Sequence, residues 1–206
     1  MTEFMNDTSV ERKKTGYHHG DLRAALVAAT RSLIEENGVD HFSVADACRR
    51  AGVSTAAPYK HFKNKEEMVH AVVLDCMERH RQEMLDDLAP HPRGSLVRIK
   101  ALGQNYIRFA LREPGLFRLR FAHFDGEPLE GIEECGSETY SIVQQEVAFV
   151  LGEAGITDKV KERAFMLWSF VHGLSFLMMN PDLMETGGNL DVDALLSDIG
   201  RRVLLD

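Results

Sequence analysis

Apolar residues recur along this chain with a helical period, and no convincing two-residue alternation of the kind that marks a strand is present. The first segment puts Leu22, Ala25, Leu26, Ala29 and Leu33 on one face, with Asp21 suited to its start and Asn37-Gly38 to its stop. A short second helix opens at Ser43, where Ser43-Val44-Ala45-Asp46 has the spacing of a capping box, and ends at Gly52. A third short segment runs from Ser54 or Thr55 to Phe62, and a fourth from Asn64-Lys65-Glu66-Glu67 to about Leu88. The run Ala89-Pro90-His91-Pro92-Arg93-Gly94-Ser95 then breaks the pattern. Beyond it, helices are predicted at about 95–111, 114–124, 134–153, 157–180 and 191–204. The expected fold class is all-α, with about nine helices in two parts.

Charge separates those parts. The 206 residues carry a net charge of −8, and as a whole-molecule figure that opposes nucleic-acid binding. Residues 1–65, however, hold ten Lys/Arg against eight Asp/Glu, while the rest hold fourteen against twenty-four. Parts that differ this way are expected to have different partners. Cys48, Cys76 and Cys135 are odd in number and widely spaced, so neither a disulfide framework nor a CxxC metal pair is expected. Met1–Gly20 is polar and lacks the form of a secretory signal. The longest charge-free run, Ala164–Pro181, contains Ser169, His172, Gly173, Ser175, Asn180 and Pro181 and reads as a core helix, not a membrane span. The expected location is the cytoplasm.

Two short helices joined at Ala51-Gly52-Val53-Ser54 match a helix-turn-helix, whose second helix enters the DNA major groove. Short helix pairs also occur in bundles that bind no nucleic acid. Here Tyr59, Lys60, His61, Lys63 and Lys65 cluster on the motif, and Arg12-Lys13-Lys14 precedes the first helix as a basic arm. Positive charge thus gathers on the motif of an otherwise acidic protein.

The stretch from Phe42 to Glu66, with Gly52-Val53-Ser54, Tyr59-Lys60-His61-Phe62 and Lys63-Asn64-Lys65-Glu66, resembles the N-terminal signature of the tetracycline-repressor (TetR) family of bacterial transcriptional regulators. Tyr17-His18-His19-Gly20-Asp21-Leu22-Arg23 and Trp168-Ser169-Phe170-Val171-His172-Gly173 further resemble a subgroup whose ligand domain carries a Trp…His-Gly motif. The resemblance implies an arm at 1–16, a helix-turn-helix domain at 17–65, a connecting helix at 66–88 and a ligand-sensing and dimerisation domain at 95–206. It implies a repressor that binds a palindromic DNA operator as a homodimer and is released by a small-molecule effector. Ser54, Thr55, Ala56, Ala57, Tyr59, Lys60 and His61 fall on the major-groove segment, and Ser43 and Lys65 at helix N-termini that grip phosphates. Pro58 and Phe62 fall toward the domain core. Thr55, Ala56 and Ala57 are too short for bidentate base contacts, so Lys60 is the one long donor expected to reach a guanine edge. An operator read partly by shape follows, with Arg12-Lys13-Lys14 in a flanking minor groove.

Residues 95–204 hold too many aromatics for a spacer. Val160, Ala164, Leu167, Val171, Leu174 and Met178 form one stripe, and Phe165, Trp168, His172, Ser175 and Met179 a second. A helix apolar on more than one face must be covered on more than one side. With the last helix, this predicts a subunit interface of Val171, Leu174, Met178, Leu195, Leu196, Ile199 and Val203. An effector site is expected among Tyr106, Phe109, Phe121, His123, Trp168 and His172, against the plain alternative that these are core. No Walker loop, GxGxxG, GxSxG or HExxH is present, and Cys76 with His80 has no third ligand nearby, so no enzyme, cofactor or metal is expected. The alternative reading is a small all-α ligand-binding or ligand-transforming protein without sequence-specific DNA binding.

Overall fold

The computed structural model describes residues 19–121, 131–180, 182 and 190–206. Among them are eight α-helices and one 3-10 turn, with no strand: α1 (His19–Asn37), α2 (Val44–Ala51), α3 (Lys65–Leu88), α4 (Leu96–Arg112), α5 (Pro114–Arg120), α6 (Ile132–Leu151), α7 (Asp158–Met178) and α8 (Val192–Leu205). The expected caps form. Ser43 Oγ accepts the Asp46 N–H at 3.1 Å and donates to the Asp46 carboxylate at 2.6 Å. Gly52 closes α2 at φ 69°, a conformation that needs no Cβ, and the Val53 N–H returns to Cys48 O at 3.0 Å. Asn64 Oδ1 accepts the Glu67 N–H at 2.8 Å, and the Glu67 carboxylate accepts the Lys63 N–H at 2.6 Å, the reciprocal cap of α3.

Two elements differ from expectation. The segment 54–62 is a turn closed by Ala57 N–H to Ser54 O at 3.0 Å, followed by the 3-10 turn Pro58–Lys60. Pro58 has no N–H with which to bond Ser54 O, so a run this short closes through i→i+3 bonds. Helix α5 ends at Arg120, where an expected helix continued to 124; residues 122–124 lie outside the described residues.

Leu26, Ile34, Phe42, Ala47, Phe62, Met68 and Val72 form the core of α1–α3, and the same core runs on through Met77 to Phe109, Leu116 and Phe117. A second core joins α3, α4, α6, α7 and α8 around Met84, Leu88, Leu102, Val147, Val160, Ala164 and Val203. Arg98 is pinned between these elements. Its guanidinium forks onto the Glu146 carboxylate at 2.6 and 2.7 Å and donates to Leu88 O and His91 O at 2.8 and 3.0 Å.

The stripe expected at a subunit interface faces inward. Val171, Leu174, Leu196 and Val203 are buried within this one chain, and Met178, Leu195 and Ile199 are partly buried. Regular 4-3 spacing finds an apolar face but not which neighbour covers it, and α4 is that neighbour. The outward face of α7 takes Phe165 from the second stripe and adds Met166, Phe176 and Leu177, all exposed. No helix of the described residues is long and apolar enough to cross a membrane.

Candidate nucleic-acid interface and effector cavity

At one end of the molecule, buried Pro58 and Phe62 anchor the turn that carries Ser54, Thr55, Ala56, Tyr59 and Lys60 outward. Tyr59 is 64 % exposed, unusual for a large aromatic with nothing to cover it. Among the described residues, the side chains of Ser54, Thr55, Tyr59 and Lys60 make no hydrogen bond or ion pair. Ala57 is half-buried, as is His61. Neighbouring charges are spent inside the domain: Arg50 forks onto Glu36 at 2.6 and 2.6 Å, and Arg49 pairs with Asp46 at 2.8 Å. The Ser43 hydroxyl serves the Asp46 cap, and that bond is the main cause holding the Asp46 carboxyl below its ordinary range. Lys65 Nζ lies 4.5 Å from the centre of the Phe42 ring, a cation–π contact that orients it at the start of α3. Arg12, Lys13 and Lys14 lie outside the described residues.

At the other end, α3 to α8 enclose a cavity of about 90 Å3. Its apolar wall includes Met84, Ile99, Leu102, Val143, Leu167, Leu196 and Ile199, and its polar end His80, Tyr106, Arg120, Thr139, Tyr140 and Trp168. Gly103 also lines it; a Cβ there would lie 2.7 Å from Leu196, so α4 and α8 meet at this glycine. Trp168 Nε1–H donates to the Tyr106 hydroxyl at 3.3 Å, and that hydroxyl lies 2.9 Å from His172 Nδ1. Because Trp168 can only donate, the Tyr106 proton is free to point at His172. Burial pushes the Tyr106 phenol up to about 12. Burial, then the Arg120 charge, holds His172 below the ordinary imidazole value. The same two causes take His80, stacked on Phe109 at 4.4 Å, down to about 3, with Asn105 opposing them in part. Both rings are neutral at pH 7.

Residues 26–72 match the family "Bacterial regulatory proteins, tetR family", and residues 99–200 match "Tetracyclin repressor-like, C-terminal domain". The chain belongs to the tetR family. Among its relatives, the nucleoid occlusion factor SlmA of Vibrio cholerae is 29 % identical over 111 residues, 52 % of this chain and 56 % of that protein. The HTH-type transcriptional regulator BetI of Escherichia coli is 34 % identical over 86 residues, 41 % of this chain and 44 % of that one. The chain thus spans about half the length of the curated relatives it matches. A structure of a protein of unknown function from Rhodococcus sp. RHA1 superposes with a TM-score of 0.75 at 27 % identity, covering 94 % of this chain and 100 % of the other. A TetR/AcrR family transcriptional regulator from Thermobifida fusca shares the fold, with a TM-score of 0.66 at 22 % identity over 90 % and 97 % of the two chains.

Within this tetR-family fold, three of the expected effector-site residues come together: Trp168 and His172 converge on Tyr106. Phe109 is core, 1 % exposed under His80. Phe121 sits beside the cavity, its ring 4.9 Å from that of His172, and is partly open to solvent. His123 lies outside the described residues. Sequence reading missed His80, Arg120, Thr139 and Tyr140. The Cys76–His80 spacing drew attention for metal chemistry, yet Cys76 donates to Glu113 at 3.7 Å and burial, chiefly, raises its thiol to about 12, which makes it a poor nucleophile.

Proposed function

We propose that this chain is a DNA-binding transcriptional regulator of the repressor kind, which holds a palindromic operator as a homodimer and lets go when a small molecule fills the α3–α8 cavity. The observation that carries the reading is the exposed turn Ser54–Lys60: its polar and aromatic side chains are unspent, while Pro58 and Phe62 fix its backbone from below. Thr55, Ala56 and Ala57 pack on thymine methyls, Tyr59 and His61 meet backbone or base edges, and Lys60 reaches guanine. Ser43 and Lys65 face phosphates at their helix N-termini. The basic arm Arg12-Lys13-Lys14 takes a flanking minor groove.

The exposed apolar face Phe165, Met166, Phe176 and Leu177 supports a homodimer, since a two-fold operator requires a two-fold protein. Helix α3 supports the coupling: Lys65 stands at its operator end, and His80 and Met84 line the cavity. An effector that fits one spacing of the two reading heads better than another shifts the population of DNA-competent dimers. The convergence of Trp168 and His172 on one hydroxyl supports the Trp…His-Gly subgroup.

A gel-shift against DNA flanking the protein's own gene, at moderate salt, tests the reading. Lys60→Ala is expected to relax preference at one or two positions per half-site, and Lys65→Ala to weaken all sequences alike. No sequence-selective binding would instead favour an all-α ligand-binding or ligand-transforming protein.

A further inference from the structure

Arg120 closes the polar end of the cavity at the last turn of α5, and its guanidinium is largely enclosed. Its neighbours among the described residues supply no charge. One Nη lies 3.3 Å from His80 Nδ1, a ring that is neutral at pH 7, and the guanidinium stands 5.5 Å from the centre of the Phe121 ring. Among the described residues no carboxylate is within ion-pair distance of it. Other arginines of this half are matched: Arg98 with Glu146 and Arg79 with Glu113 and Asp75 in sheltered positions, and Arg108 with Asp87 and Arg112 with Glu83 at the surface. Among the described residues, no aspartate or glutamate lines the cavity.

A guanidinium stays charged at neutral pH, and an enclosed cation without a counter-ion is costly unless something supplies the opposite charge. A planar fork of donors is also the side chain best shaped for a carboxylate. Around that charge the described wall is apolar or aromatic apart from Thr139, whose hydroxyl donates to Cys135 O, and the Trp168 N–H and Tyr106 hydroxyl are already engaged with each other and with His172. At roughly 10–15 Å3 per water, a cavity of this size has room for about six to nine waters, and so for a ligand of about as many non-hydrogen atoms.

We propose that the effector of this cavity is an organic monoanion, a carboxylate on a compact apolar body, whose head takes the fork of Arg120 and whose body lies against Leu102, Val143, Leu167 and Ile199. This rests on the regulator reading for the word effector, but not for the binding itself. Charge pairing at Arg120 then replaces the contact with neutral His80, and the ligand bridges α5 to the α4, α6 and α7 wall.

Trp168 is the only tryptophan of the chain and lines the cavity, so its fluorescence reports occupancy of the full-length protein. Hexanoate, 1-hexanol and hexylamine share one body and differ in head charge. Hexanoate is expected to give a saturable change at concentrations at least ten-fold below 1-hexanol, and hexylamine none. Arg120→Met is expected to abolish the hexanoate preference, while Arg120→Lys retains part of it. Because Arg120→Met removes a cation with no carboxylate partner among the described residues, the free variant should melt no lower than the wild type, whereas hexanoate should no longer raise its Tm. Equal binding of hexanol and hexanoate, no saturable binding of hexanoate, or a preference that survives Arg120→Met overturns the proposal, and so does a free Arg120→Met protein that melts several degrees lower. Operator binding without ligand, measured in parallel, separates the two readings: its failure sinks the regulator and leaves the anion preference standing.

Discussion

Glu35 and Leu116 belong to opposite halves of the chain, and the carboxylate of the first accepts the backbone N–H of the second at 2.8 Å, with its other oxygen taking the Gly115 N–H at 3.0 Å. Both amides sit in the first turn of α5, where no intrahelical acceptor exists, so a carboxylate there gains charge-assisted bonds and the favourable end of the helix dipole. A Cβ at Gly115 would stand 3.2 Å from both Glu35 oxygens, which explains the glycine. The other end of this seven-residue helix is Arg120, in the cavity wall. Helix α5 is thus held by α1 of the N-terminal bundle at one end and reaches the cavity at the other.

Glu35→Ala should therefore lower the unfolding free energy by about 1–3 kcal/mol, the cost of two sheltered donors left without an acceptor. Its sharper effect should be on coupling. Operator affinity without effector should change little, while the ratio of affinities with and without effector should shrink toward one. Denaturant unfolding and paired gel-shifts read the two effects, and an unchanged ratio would place the coupling elsewhere.

The Arg98–Glu146 pair should behave as a buried bridge does. Glu146→Ala leaves the guanidinium with two carbonyls and no counter-ion, and is expected to cost about 3–5 kcal/mol in urea unfolding. The double change Arg98→Met with Glu146→Leu should recover most of that loss. Failure to recover would show that the bonds from Arg98 to Leu88 O and His91 O, which hold the end of α3 against α4, matter more than the ion pair.

Acid should destabilise the protein through His80. Its folded value of about 3 lies below the 6.5 of a free imidazole, so between those limits the unfolded chain binds the proton more readily. Stability is retained above about pH 6.5 and falls as the pH drops toward 3. The loss between pH 7 and pH 5 amounts to about 2 kcal/mol from this group alone. His80→Gln should flatten the dependence by that amount in unfolding curves taken at the two pH values. Parallel curves for the two proteins would show that His80 does not govern the acid limb.

Phe165 is 57 % exposed on the outer face of α7, so Phe165→Glu should leave the chain folded and its far-UV spectrum intact. Sedimentation equilibrium should show it shifted to monomer, with binding to a palindrome no tighter than to two independent half-sites. Val171→Glu, by contrast, places a charge in the core and should unfold the chain. A Phe165→Glu protein that stays dimeric would move the interface off α7.

Helix boundaries were legible wherever a local device sets them. Ser43 with Asp46, Asn64 with Glu67, and Gly52 each act within four residues, so spacing alone reveals them. The same holds for the reading turn, where Pro58 and Phe62 point inward as expected. Its form was not legible, because a helix of one or two turns survives or fails on single hydrogen bonds. In the C-terminal half, Trp168 and His172 stand in a recognisable motif and Tyr106 is one of several aromatics, but nothing local ties a residue of α4 to two of α7.

The class of fold, the capped helices, the inward anchors Pro58 and Phe62 and the division of charge all follow from short-range chemistry and can be read along the chain. Which apolar stripe faces inward depends on the closed chain, because periodicity marks a face without naming its neighbour. So does the grip of Glu35 on α5, and so does the place of Arg120 in a cavity to which no described residue brings a carboxylate. Those relations join residues dozens of positions apart, and their energies come from burial and from missing or present counter-charges, which exist only once the chain has closed around them.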